Sequence, residues 1–179
     1  MNGTILNLVM ATLSIGLVIV ISKKNKLSYK SDLGLVFPDW KNMVFWISLF
    51  VLLIVLEGYV YKWFGDGITE SWAGKYTMPQ QILRGIGIVI LAPISEELIF
   101  RGLLYWRIKN TQLKYLGAII IPAILFSVLH IQYSEFLTLG IIFVDGIFYG
   151  LARHFSRSVI LTMILHALSN LGAVLERVF

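Results

Sequence analysis

Apolar runs of bilayer length recur along this chain, separated by short polar or basic stretches. The first is Ile5 to Ile21, with Lys23, Lys24, Lys26 and Lys30 behind it. About 20 apolar residues in a helix cover the ~30 Å hydrocarbon core. The second run is Met43 to Trp63. Pro38-Asp39 stands ahead of it, so Asp39 is its expected N-cap. The third is Ile82 to Trp106, the fourth Tyr115 to Ile131, the fifth Phe136 to Ala152 and the sixth Val159 to Leu175. Residues 64–81 are polar and Gly-rich and read as an outer loop, with Trp63, Trp72 and Tyr76 suited to the membrane interface. The pattern predicts an all-α fold, a polytopic membrane bundle of about six transmembrane helices, as a single domain over 1–179.

Composition agrees. Of the 179 residues, 58% are hydrophobic and mean hydropathy is +0.81, more apolar side chain than a soluble domain of this size can bury. The formal charge of +5 is no nucleic-acid signal, because the basic residues cluster at span ends. With the N-terminus outside, the inner side receives Lys23, Lys24, Lys26, Lys30, Lys41, Arg107, Lys109, Lys114, Arg153 and Arg157. The outer side receives Lys62, Lys75, Arg84 and Arg177, as the positive-inside rule requires. The first run has no basic residue ahead of it and no small-residue cleavage site, so it reads as a retained helix. Cysteine is absent, which excludes disulfides, thiol nucleophiles and thiolate metal sites.

Against that background, charges inside spans carry information. Glu96, Glu97 and Arg101 lie within the third run, where each ionised side chain costs roughly 2.5–3.5 kcal/mol even on lenient insertion scales. Glu97 and Arg101 are four apart, on one helix face, and can pair. Glu96 points elsewhere, about 140° from Arg101, which leaves it for work in a cavity. A purely structural ion network is the competing reading. Pro93, three residues earlier, frees a carbonyl and favours a kink. Glu57 in the second run reads as a satisfied interior carboxylate. Gly146 and Gly150 in the fifth let helices pack closely.

His130, His166 and Asn170 sit in the fourth and sixth runs. At about 1.5 Å per residue their expected depths match that of Glu96. One carboxylate, two imidazoles and an amide gathered at mid-bilayer suit hydrolysis of a peptide bond. Glu96 takes a proton from water, His130 holds that water, and His166 with Asn170 donates to a tetrahedral oxyanion. His-Glu-x-x-His and Gly-x-Ser-x-Gly are both missing, and Asp145 is the lone aspartate within a span.

Glu96-Glu97-x-x-x-Arg101, Phe126-x-x-x-His130 and His166-x-x-x-Asn170, in this order and each in its own run, resemble the motifs of the CPBP family. That family comprises CAAX prenyl endopeptidases of the second type and bacteriocin-processing or immunity (Abi) proteins. The likeness covers about 82–170, roughly half the chain, and the Gly146–Gly150 region is similar to the family's less specific third motif. It implies an all-helical intramembrane endopeptidase of the cell membrane acting on membrane-bound peptides or proteins. Its catalytic residues would be Glu96, Glu97, Arg101, His130, His166 and Asn170.

Other readings keep part of the pattern. A bacteriocin self-immunity or scaffold protein on the same fold needs no catalysis, but every motif position is filled. A proton-coupled carrier would want a paired repeat, and the chain shows none. Zinc is the open cofactor question: Glu96, His130 and His166 would be its ligands, a familiar catalytic set. The metal-free scheme is slightly favoured because it gives Asn170 a role.

Overall fold

The computed structural model describes residues 2–65, 71–130, Tyr133 and 135–178, and every regular element among them is helical. Helix α1 is Asn2–Lys24 and α2 is Trp40–Phe64. Asp39 caps α2 as expected. Its carboxylate accepts the Asn42 backbone N–H at 2.9 Å, a bond that holds this carboxyl below its usual range.

The third element, α3, is a composite rod over 78–109. It runs through Met78–Ile86, a π-helical stretch Gly87–Leu91, Ala92–Glu97, a second π-helical stretch Leu98–Leu104, and Tyr105–Lys109. Pro93 lies at the start of the middle α segment. The residue before it, Ala92, donates its N–H five residues back, to Gly87 O. The wide turn thus absorbs what a missing N–H would otherwise break. Helix α4 is Lys114–Val128, α5 is Phe136–Ser156 and α6 is Val159–Val178.

Four helices are long and apolar enough to cross a membrane: Gly3–Lys24, Trp40–Phe64, Phe136–Ser156 and Val159–Val178. The other two expected spans differ in kind. The α3 rod begins at Met78, where Thr77 and Gln80 form a capping box, and it breaks its helical type twice. Helix α4 has 15 residues and an internal Pro122, about 22 Å of rise. The end of the expected fourth span, Ile131, and the turn residues Gln132 and Ser134 lie outside the described residues, as does 66–70 of the outer loop.

In lipid, helices associate by close packing and internal hydrogen bonds rather than by expulsion of water. Helices α4 and α5 show this. A Cβ on Gly146 would come within 2.9 Å of Ala123 Cβ, and one on Gly150 within 2.9 Å of Ile119 Cγ2. The two backbones therefore approach where only hydrogen fits. Phe100 and Arg101 are buried beside this contact, Phe100 against Phe126 and Arg101 against Gly146 O. On one side Val18, Leu33 and Leu98 tie α1 and its following loop to α3. On the other, Trp46 and Phe50 lean α2 against Tyr149, Ala152, Leu161 and Leu165 of α5 and α6.

Two local expectations change. Trp72 does not face lipid: it is 1% exposed, its backbone N–H donates to Arg177 O at 2.8 Å, and Arg84 lies over its ring. Glu57 is not satisfied, since its Oε1 is buried without a partner among the described residues.

Candidate active site

Sequence spacing places Glu97 and Arg101 one turn apart, and the second π-helical stretch begins between them. Arg101 Nη1 donates to Glu97 Oε1 at 2.8 Å. Its Nη2 donates to the Gly146 carbonyl at 2.9 Å, a group that α5 presents at its closest approach to α4. Both side chains are enclosed, 1% and 0% exposed. The rings of Phe126 and Tyr149 flank the guanidinium at 4.7 and 5.4 Å, a favourable cation–π setting away from water.

His166, on α6, reaches the same oxygen: its Nδ1 lies 3.1 Å from Glu97 Oε1. With Nδ1–H donating there, ring orientation is fixed and Nε2 is turned to the other side. Tyr149 stacks on that imidazole at 5.5 Å, and Phe126 meets it edge-on at 5.5 Å. Facing Nε2 is Glu96, whose Oε2 is 3.9 Å away. Glu96 keeps 31% of its side chain exposed, yet Oε2 itself is buried with no partner among the described residues. A separation of 3.9 Å is too long for a direct hydrogen bond and suits two groups that share one water.

Glu96, Glu97, Arg101 and His166 therefore come together directly. His130 joins through Phe126. Its Nδ1 bonds the Phe126 carbonyl at 2.6 Å, and its ring sits 4.6 Å from the Phe126 ring, which in turn touches His166. Asn170 lies one turn beyond His166 on α6 and donates to Ile88 O at 2.8 Å, a carbonyl within the first π-helical stretch. One of its two amide hydrogens is thus engaged and the other is free to bond elsewhere.

Tyr149 was not among the residues singled out from sequence. The signal was present in the spacing, because it falls between Gly146 and Gly150 on the helix whose Gly146 carbonyl meets Arg101. Asp145 also belongs to the surroundings: it interacts with His166, Arg101 and Glu97, and Glu57 interacts with it in turn.

A zinc ion would need Glu96, His130 and His166 to converge. Among the described residues no three of His, Asp or Glu form a group that could hold a metal. The Nδ1 bonds of His166 to Glu97 and of His130 to a backbone carbonyl leave both Nε2 atoms open, so the obstacle is that the three groups do not converge. The donor set as placed does not fit a three-ligand metal, so no step below runs through one.

Comparison with known proteins bears on this geometry. The family model for type II CAAX prenyl endopeptidases, Rce1-like, matches residues 78–172, from the start of α3 to beyond Asn170. A relative from Escherichia coli, described as an uncharacterized 24.3 kDa protein, is 37% identical over 101 residues, 55% of this chain and 46% of its own length. The chain thus spans about half of that curated relative. No solved structure matches. The matched segment carries Glu96, Glu97, Arg101, His130, His166 and Asn170 together, and this membrane protein belongs to the Rce1-like family of type II CAAX prenyl endopeptidases.

Proposed function

We propose that this chain is a multi-pass intramembrane endopeptidase of the cell membrane, hydrolysing peptide bonds of membrane-associated peptides or proteins with Glu96 as the base. One observation carries the reading. Glu96 is partly open and turns Oε2 toward His166 Nε2 at 3.9 Å, beside a fully enclosed Glu97 whose Oε1 is bonded by both Arg101 and His166; the Oε2 of each carboxylate has no partner among the described residues. Family membership supports the reaction class.

In this scheme a water sits against Glu96 Oε2. Glu96 removes one proton as the oxygen attacks the peptide carbonyl carbon. The carbonyl π electrons move to oxygen, and the oxyanion is met by the free amide hydrogen of Asn170 and by His166 Nε2–H, which donates when both ring nitrogens carry hydrogen. Glu96 then returns its proton to the leaving nitrogen as the C–N bond breaks, which restores the carboxylate. Glu97 and Arg101 do not touch the substrate; they hold the imidazole in place. His130, at the edge of the site, orients the incoming water.

The test is cleavage of a membrane peptide library by the purified chain, wild type against Glu96→Ala. Wild-type cleavage that disappears in the variant, with folding retained, is the expected result. Cleavage undiminished in Glu96→Ala would overturn the assignment. If peptides from prenylated precursors are cut no faster than others, the substrates lie outside the CAAX class.

A further inference from the structure

Away from this site, the loop after α1, the end of α3 and the α5–α6 turn enclose a cavity of about 720 Å³. Its charged lining is Lys30, Lys109, Arg153 and Arg157 against a single carboxylate, Asp32, with His154 beside them. Asp32 is occupied, since its Oδ2 accepts the Ser28 N–H at 2.8 Å.

Arg153 is fixed in the wall. It is 5% exposed, its Nε donates to Arg101 O at 3.0 Å, and its Nη2 donates to Asp32 O at 3.3 Å. Gly34, at φ +77, lies so close to this guanidinium that a Cβ would overlap it. Lys30, Lys109 and Arg157, by contrast, are exposed and form no ion pair among the described residues.

Next to this chamber a groove of about 390 Å³ runs between α4 and α5, lined by Leu116, Ile119, Ile120, Phe143, Ile147 and Leu151 among others. The chamber and the groove share His154 and Phe155. His154 is held by Tyr105 Oη at 2.9 Å and stacks on Tyr115 at 4.9 Å. A basic chamber and an apolar groove thus meet at one fixed imidazole, and Tyr105 and Trp106 line the chamber as aromatics do at the membrane boundary.

We propose that this is a binding site for an anionic phospholipid, its phosphate in the basic chamber and one acyl chain in the α4–α5 groove. The cation excess selects an anionic head over a zwitterionic one. The continuous groove distinguishes a lipid from free phosphate, which would fill only the chamber.

The experiment is native mass spectrometry of the purified full chain in detergent, titrated with phosphatidylglycerol, phosphatidylcholine or inorganic phosphate. One retained phosphatidylglycerol per chain is expected, with phosphatidylcholine retained far more weakly. Each Lys or Arg near an anionic surface contributes about fivefold. The triple variant Lys30→Gln/Lys109→Gln/Arg157→Asn should therefore weaken retention on the order of 100-fold. Asn is chosen at 157 because φ there is 59°, which Asn tolerates.

Ile120→Trp, at an exposed position of the groove, should weaken lipid retention by itself. Equal retention of the two lipids, or undiminished retention in both variants, overturns the proposal. Displacement of the lipid by millimolar inorganic phosphate also overturns it, in favour of a free-phosphate site.

Discussion

On one side of the candidate site Glu97 is enclosed and shares one oxygen between Arg101 and His166. On the other side Glu96, the preceding residue, is about a third exposed and has no hydrogen bond to either neighbour; the Oε2 atoms of both carboxylates are without a partner among the described residues. A buried carboxylate bonded twice is part of the frame, since moving it means breaking charge-assisted hydrogen bonds in a low dielectric. A partly exposed carboxylate tied into no direct hydrogen bond can accept a proton without disturbing its neighbours. Under the proposed function, this contrast in exposure and bonding separates groups that hold the site from groups that would act in it. It also predicts that equivalent-looking substitutions on adjacent residues will have unlike consequences.

The largest effect is expected from Arg101→Ala. It strands Glu97 in a buried position and removes the bond to Gly146 O. Breaking one partner of a well-buried pair costs roughly 3–5 kcal/mol, so folded protein in detergent should fall along with activity. Thermal unfolding checks this, and a variant as stable as wild type would dissolve the distinction between the two sides. The double variant Glu97→Leu/Arg101→Met sharpens it. With both charges gone it should regain more than half of the lost stability while remaining inactive, because His166 no longer has its anchor.

Glu96→Gln comes next. Loss of the base should lower turnover by roughly 10²–10⁴-fold while the unfolding temperature stays close to wild type. A large drop in stability would place Glu96 with the frame instead. The smallest effect is expected from Asn170→Ala. Its structural share is one hydrogen bond to Ile88 O, worth about 1 kcal/mol. Turnover should nonetheless fall by roughly 10²–10³-fold, the usual cost of losing one oxyanion donor; a loss no larger than that single bond explains would remove Asn170 from the reaction.

Much of the helical layout was legible because bilayer length imposes long uninterrupted apolar runs, as in α1, α2, α5 and α6. The Glu97–Arg101 pair was legible from four-residue spacing, and the close α4–α5 contact from Gly146 and Gly150. The departures have physical reasons. The π-helical turns of α3 depend on where neighbours can satisfy backbone groups around Pro93, which no local periodicity records. Trp72 looked like an interface residue because its type favours that place. Its burial comes from Arg84 and from Arg177 O, which are distant or unrelated in pattern. Tyr149 reads as an ordinary apolar-span aromatic until α6 is laid beside α5 and brings His166 over its ring. His130 reaches His166 through Phe126, a contact that depth matching alone does not predict.

The brevity of α4 bears on the bilayer itself. Tyr115 at its start stacks on His154 near the end of α5, so the two helices begin level at that face. Ser127, near the other end, bonds Leu139 O at 2.7 Å, when α5 still has residues 136–138 to run. A 15-residue helix offers about 22 Å against a core of ~30 Å. A span of that length would meet the bilayer with a hydrophobic mismatch, which lipids answer by thinning locally. Such thinning would bring the water boundary closer to the Ser127 end of α4, the end that leads to His130.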